Sequence, residues 1–258
     1  MRITILTLFP EMFDGFLTNS IIKRAIAKGI VSVDIVNIRD YTKDKYGRVD
    51  TPPIGGGAGL IMKCQPILDC LSANSNGDSY KILLSPRGNT FNQKKARELV
   101  SLNKNIVIAC GHYEGVDERV NKYFDELISI GDYILTGGEI PSMAISDAII
   151  RLLDGAIAED STVEESFENS LLEYPQYTEP YDYNGDKVPD ILYTGNHEAI
   201  AKYRQRQSLK LTRELRKDLF DKYELKKEDR RLLEELDQGI DSPRWLTEAI
   251  EKSKKNKD

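Results

Sequence analysis

Ile106-Val107-Ile108-Ala109-Cys110, followed at once by Gly111-His112-Tyr113-Glu114-Gly115, decides the fold. Five apolar residues without polar alternation suit a strand buried on both faces of a parallel sheet, and a glycine-bounded polar loop suits the carboxyl end of such a strand. The same pattern recurs to either side. Ile3–Leu8, Val31–Ile38, Tyr80–Leu84 and Glu126–Ile130 are further short β-rich runs, with helical patterns near 19–28, 64–73, 92–102, 116–123 and 139–153 between them. This alternation predicts an α/β fold with helices on both faces of the sheet. The last pattern opens on Thr136-Gly137-Gly138-Glu139, a capping-box spacing, and continues with Ile140, Ala144, Ala148 and Leu152 at helical intervals.

Beyond about Asp154 the character changes. Between Ala158 and Asp190 stand ten acidic residues and one lysine, with Pro175, Pro180 and Pro189, which predicts a domain boundary. Patterns near 196–208, 211–221, 226–235 and 242–252 follow without strand signals, as expected of a small all-helical domain. The predicted organisation is a first domain over 1–157, an acidic linker over 158–190 and a helical domain over 191–258.

Composition sets the outer limits. The chain has 258 residues, 36 basic and 42 acidic, with a net charge of −6 and 40% apolar residues, the profile of a folded soluble protein. Residues 1–200 hold 19 basic and 29 acidic side chains, whereas 201–258 hold 17 and 13. Lys202, Arg204, Arg206, Lys210, Arg213, Arg216 and Lys217 stand against a single Glu214, a block that suits either phosphate contact or the solvated face of an amphipathic helix. Cys64, Cys70 and Cys110 form no Cys-x-x-Cys pair, and only His112 and His197 are present, so neither a zinc site nor a disulfide framework is expected. No metal ligand is assigned, and a magnesium requirement stays open. Ile3 to Phe9 is too short to span a bilayer and reads as a first strand, so no membrane association and a cytoplasmic location are expected.

Open parallel sheets bind ligands beyond the carboxyl ends of their strands. Leu8 to Phe13 contains no Gly-x-Gly-x-x-Gly, and Gly55-Gly56-Gly57-Ala58-Gly59 is followed by no Gly-Lys-Ser/Thr, which disfavours both the dinucleotide fingerprint and the phosphate loop. Three strand ends carry glycine instead: Leu84-Ser85-Pro86-Arg87-Gly88, Cys110 to Gly115, and Ile130 to Glu139. Each glycine could serve only its own turn, but three such loops in succession point to one ligand approached closely by backbone polar groups.

Leu-Phe-Pro-Glu-Met-Phe at 8–13, Gly-Gly-Gly-Ala-Gly at 55–59, Cys-Gly-His-Tyr-Glu-Gly-Val-Asp-Glu-Arg at 110–119 and Ser-Ile-Gly-Asp-Tyr-Ile-Leu-Thr-Gly-Gly-Glu at 129–139 strongly resemble the bacterial tRNA (guanine-N1)-methyltransferases of the SPOUT superfamily. Glu165-Ser166-Phe167, Leu171 to Thr178 and Gly195-Asn196-His197 extend the resemblance over nearly the whole chain. It implies a parallel sheet with a C-terminal trefoil knot, S-adenosylmethionine as methyl donor, tRNA as partner, a homodimer with a shared active site, and methylation of N1 of guanosine at tRNA position 37. Carried onto this sequence, the donor pocket is Leu84, Ser85 and Pro86; Gly111, Tyr113, Glu114 and Gly115; Ile130, Gly131, Asp132, Tyr133, Ile134 and Leu135; and Gly137 and Gly138. The resemblance makes Glu165 the general base and Arg151 the stabiliser of guanine O6, roles that suit removal of the N1 proton. The family usually has aspartate where Glu165 stands, and Glu164 is its immediate neighbour. Thr162-Val163-Glu164-Glu165 also fits a capping box, and Arg151 lies at ion-pair spacing from Asp147. Lys202, Arg204, Arg206, Lys210 and Arg213 are the expected tRNA contacts, with Tyr203 available to pack or stack. His112 stands where arginine is also common, and His197 suits either a helix cap or RNA contact. Two further readings of the sequence are a SPOUT enzyme acting on another RNA site and a non-catalytic RNA-binding protein of the same fold.

Overall fold

The computed structural model describes residues 1–157, 166 and 170–255. The chain divides into two compact units, Met1–Glu159 and Asp160–Asp258.

The first unit runs β1 (Arg2–Thr7), α1 (Asp14–Thr18), α2 (Ser20–Ala27), β2 (Ser32–Asn37), β3 (Asp50–Thr51), β4 (Ile61–Met62), α3 (Cys64–Asn74), β5 (Ser79–Thr90), α4 (Gln93–Ser101), β6 (Asn105–Ala109), β7 (Glu126–Ser129) and α5 (Glu139–Ile150). Five strands form one sheet in the order β2-β1-β6-β5-β7, and every pairing in it is parallel. The apolar runs explain this burial. Ile3, Ile5, Ile82, Ile106, Ile108 and Ile128 pack on one face with Phe13, Ile22, Leu99, Ile145 and Ile149. Leu6, Leu83, Val107 and Ala109 pack on the other with Ile38, Met62, Ile67, Leu71 and Val120. A strand covered on both sides has no solvent face to mark with polar residues, hence the missing alternation.

Local chemistry ends the helices where expected. Asn92 caps α4 by accepting from the Lys95 backbone N–H at 3.0 Å, and Gly29 follows α2 at φ +69°, a left-handed position that favours glycine. Three sequence expectations change. The 116–123 pattern is a 3₁₀ turn over Glu118–Tyr123, because Val116 bridges Met62 and Asp117 caps the turn, leaving too few residues for an α-helix. Helix α5 does not begin with a Thr136 capping box, since Gly138 is its N-cap and offers no side chain. Strand β5 also outlasts its apolar run. Leu84 pairs with Ile128, Ser85–Gly88 bulge out, and Asn89 again pairs with Ile128. A Cβ on Gly88 would lie 2.5 Å from the Ile128 nitrogen, so glycine is required where the strand returns.

The second unit contains a two-stranded ribbon, β8 (Asp182–Tyr183) and β9 (Asp186–Lys187), then α6 (His197–Leu215), α7 (Lys217–Phe220), α8 (Lys227–Asp237) and α9 (Arg244–Lys255). The pattern at 196–208 joins the first part of that at 211–221 in one long α6, because Leu209 and Lys210 do not break a helix and buried Ser208 and Thr212 continue its inner face; the remainder is α7, after a break at Arg216. Asn196, rather than His197, caps it, accepting from the Ala199 N–H at 3.2 Å. Leu209, Leu232 and Leu233 form a core with Leu171 from the acidic stretch. The backbone N–H of Leu172 donates to the Thr212 hydroxyl at 2.8 Å, so this part of the stretch is built into the unit.

Candidate active site

The carboxyl ends of β5, β6 and β7 open onto a cavity of about 530 Å³. That is a size typical of small-molecule sites. Fourteen of the expected donor-pocket residues line it: Leu84, Ser85 and Pro86 from the β5 bulge; Gly111, Tyr113, Glu114 and Gly115 after β6; and Ile130, Gly131, Tyr133, Ile134, Leu135, Gly137 and Gly138 before α5. Asp132 is not on the wall. Arg87, His112 and Thr136, members of the three candidate loops though not among the carried-over donor residues, also lie on it, as do Asn121 and Pro141, which sequence reasoning had not placed there.

Backbone geometry explains the glycines. The Gly138 N–H donates to the Gly111 carbonyl at 2.8 Å, and a Cβ at Gly138 would fall 2.7 Å from the Cys110 Cα. The 131–138 loop is therefore laid directly on the 110–112 backbone, a closeness that side chains would forbid. Tyr113 takes a left-handed conformation at φ 56°. Burial pushes its phenol pKa up; its hydroxyl interacts with Asp50, which adds to the rise, and with Arg39, which opposes it. Burial likewise pushes the Cys110 thiol up, so it is kept protonated behind the wall.

A polar chain runs behind the glycine loops. Glu139, the first residue of α5, is only 2% exposed. Its Oε1 accepts from the Thr7 hydroxyl at 2.8 Å, and the Thr7 oxygen accepts from the Phe9 N–H at 3.0 Å. Its Oε2 lies 3.6 Å from His112 Nδ1. Phe9 and Tyr113 flank the His112 ring at centroid distances of 4.7 and 5.0 Å. Nothing in the sequence announced this chain, because 132 residues separate Thr7 from Glu139.

Glu165 and the Thr162–Glu165 capping box lie outside the described residues. Ser166, next to Glu165, accepts from the Glu173 N–H at 2.9 Å. Arg151 is half-buried at the C-cap of α5, its N–H donating to the Asp147 carbonyl at 3.0 Å.

The basic block of the second unit is partly committed to its own fold. Arg206 is a correction to the expected phosphate contacts: it is 4% exposed, donates to the Ile240 carbonyl, and sits 3.9 Å from Glu235. It lies on the inner face of α6, where a charge is tolerated only with such partners. Lys202 pairs with Glu228 at 2.7 Å and lies over the Trp245 ring, Arg204 lies over Tyr174, and Arg213 pairs with Asp237 at 2.7 Å. Lys210 is half-buried on the same helix. Tyr203 packs against the Ile191, Ala199 and Ala249 cluster, and burial lifts its phenol to about 12.

Fold and site together define an open parallel α/β protein with a ligand-sized cavity, walled by glycine loops, at the carboxyl edge of its sheet. Within that class, residues 1–222 match the family described as tRNA (Guanine-1)-methyltransferase TrmD, and the chain belongs to this family. Similar proteins named tRNA (guanine-N(1)-)-methyltransferase occur in Clostridium perfringens strain 13 (50% identity over 235 residues, 90% of this chain and 99% of the relative). Others are from Clostridium botulinum strain Eklund 17B (52% identity; 90% and 98% of the two chains) and Dictyoglomus turgidum (52% identity over 237 residues; 92% and 96%). Among the described residues, no helix is long and apolar enough to cross a membrane, and no three His, Cys, Asp or Glu side chains are grouped to hold a metal ion.

Proposed function

We propose that this protein transfers a methyl group from S-adenosylmethionine to N1 of guanosine at tRNA position 37, as a cytoplasmic homodimer. The observation that carries the reading is the cavity itself, formed by three strand-end loops, two of which hold motifs of the family resemblance, 110–119 and 129–139. Its chemistry suits the donor. Backbone groups of closely packed glycines can meet an adenine edge, while Tyr133, Ile134 and Leu135 offer apolar surface and Glu114 offers a carboxylate for cationic groups. When bound, S-adenosylmethionine supplies an electrophilic methyl group. The close laying of 131–138 on 110–112, with the bulge of β5 against β7, supports a trefoil knot in this half of the unit.

The remaining chemistry falls to side chains of this chain. Guanine N1 holds a proton in its neutral form, and its nucleophilic lone pair is freed as that proton leaves. The Glu165 carboxylate takes the proton, while the Arg151 guanidinium donates to O6 and stabilises the negative charge that develops there. A free glutamate, with a pKa of about 4.3, is a weak base for this task. Lowering the energy of the deprotonated guanine through O6 is therefore an essential part of the proposal. Lys202, Arg204, Lys210 and Arg213 supply phosphate contacts, which give affinity without base choice. The acidic stretch 158–190 joins the methyltransferase domain to the tRNA-binding domain and acts as a lid over the bound base.

The test is transfer from labelled S-adenosylmethionine to a tRNA transcript with guanosine at position 37, beside the same transcript with adenosine there. Labelling of the first alone is expected. Equal labelling of both would assign the enzyme to another RNA site, and donor binding without any labelling would make it a binding protein.

A further inference from the structure

Behind the cavity wall, two buried polar groups face each other just short of a hydrogen bond. Glu139 Oε2 and His112 Nδ1 are 3.6 Å apart, beyond normal N–H···O range. Nδ1 is buried and has no hydrogen-bond partner among the described residues. Leaving such a polar atom unpaired is costly, and a movement of a few tenths of an ångström would pair it. Everything around the two groups limits what that movement can be. The carboxylate is fixed through its other oxygen by Thr7, on β1. The imidazole is held between Phe9 and Tyr113. Gly137, in the 131–138 loop, forms a backbone bridge with His112, and a Cβ there would collide with both Glu139 Oε2 and His112 Nδ1. With the carboxylate fixed and the 131–138 loop already hydrogen-bonded to the 110–112 backbone, what is left to shift is His112 with its own loop.

We propose that His112 is a positioning residue that clamps these two loops together around the bound donor. This rests on the reading that the cavity takes S-adenosylmethionine. With donor bound, His112 Nδ1–H donates to Glu139 Oε2. Glu139 is the first residue of α5, so the bond ties the loop after β6 to that helix. His112 therefore acts through the backbone of Gly137 and Gly138, whose placement defines one wall of the cavity.

The experiment is calorimetric titration of the full-length protein with S-adenosylmethionine, for wild type, His112→Ala, Glu139→Gln, the double variant and His112→Arg. Each single change is expected to raise the donor Kd on the order of tenfold, and the double change no further than either alone, since both remove one hydrogen bond. His112→Arg, whose guanidinium can still reach Glu139, is expected to recover most of the affinity. In steady-state assays the loss falls on the donor KM more than on kcat, as expected when ground-state positioning is removed. Because Glu139→Gln could unfold the chain, His112→Ala is also followed by hydrogen exchange. The peptide over 131–139 gains protection with donor in wild type and loses that gain in the variant. Additive effects, an unchanged Kd or a loss confined to kcat would overturn the clamp while leaving the proposed activity intact. A wild-type protein that does not bind S-adenosylmethionine would overturn both.

Discussion

At the scale of single residues, the proposed chemistry divides unequally between what the structure positions and what the sequence alone indicates. Arg151 closes α5, the helix whose first residue is the buried Glu139, so one rigid element links the candidate site to the guanidinium assigned to O6. Glu165 comes to its role through the resemblance of Glu165-Ser166-Phe167. If both act as proposed, Glu165→Gln and Arg151→Ala each lower the single-turnover rate of methyl transfer by roughly 10²–10⁴-fold, the usual range for lost acid–base assistance. Donor Kd, measured by the same titration as for His112, stays near wild type in both. The glycines were the legible residues. Gly111 and Gly131 stand directly after apolar runs, with Gly115, Gly137 and Gly138 in the same two loops, and a strand end followed by glycine marks a backbone approach even in a bare sequence. The Thr7–Glu139–His112 chain was not legible, because its members are neighbours only once β1, the β6 loop and α5 have been brought together.

At the scale of elements, the strands were legible because burial on both faces leaves an unbroken apolar run, whereas helix boundaries depend on contacts that periodicity does not record. The turn at Glu118–Tyr123 is an example: its apolar spacing looks helical, but the backbone at Val116 is tied to Met62. Asp117 holds that turn, accepting from the Arg119 N–H at 3.0 Å and pairing with the Arg119 guanidinium at 2.7 Å. Hydrogen bonding from Arg119, opposed by partial burial, holds its carboxyl well below the ordinary range. A group lowered in the folded state stabilises it above the unfolded value near 4, and this contribution disappears as pH falls through the folded value. Asp117→Ala should therefore cost about 1 kcal/mol at neutral pH, the usual price of a lost cap. In thermal melts the gap between variant and wild type should narrow as the pH is taken below the carboxylate range. Helix α6 makes a second distinction that charge counting could not. Lys210→Ala should reduce the slope of log KM for tRNA against log salt by somewhat under one, as expected for one lost phosphate contact. Arg206→Ala should instead lower the melting temperature, because its partners are Ile240 and Glu235. Equal salt slopes for Lys210→Ala and wild type would remove Lys210 from the RNA surface.

At the scale of the molecule, the first unit presents apolar side chains that its own core does not use. Ile134 is 79% exposed and Ile140 is 51% exposed, with Tyr133 and Leu135 beside the cavity also exposed. Exposed apolar groups clustered at a site suit coverage by another surface, and a second copy is the occupant that the family resemblance implies. If each active site draws on two protomers, the two proposed catalytic residues can be separated genetically. Glu165→Gln and Arg151→Ala are each inactive as homodimers. Mixed after dissociation and reassociation, they should form heterodimers in which one of the two sites has both an intact Glu165 and an intact Arg151. Random pairing then restores about a quarter of the wild-type sites, a fraction that follows from two-fold symmetry. The measurement is transfer activity of the mixture against either variant alone, with light scattering to establish that dimers have re-formed. Activity near a quarter of wild type would place the base and the arginine on different protomers. A re-formed mixture no more active than its components would place both residues in one protomer and remove the shared site from the proposal.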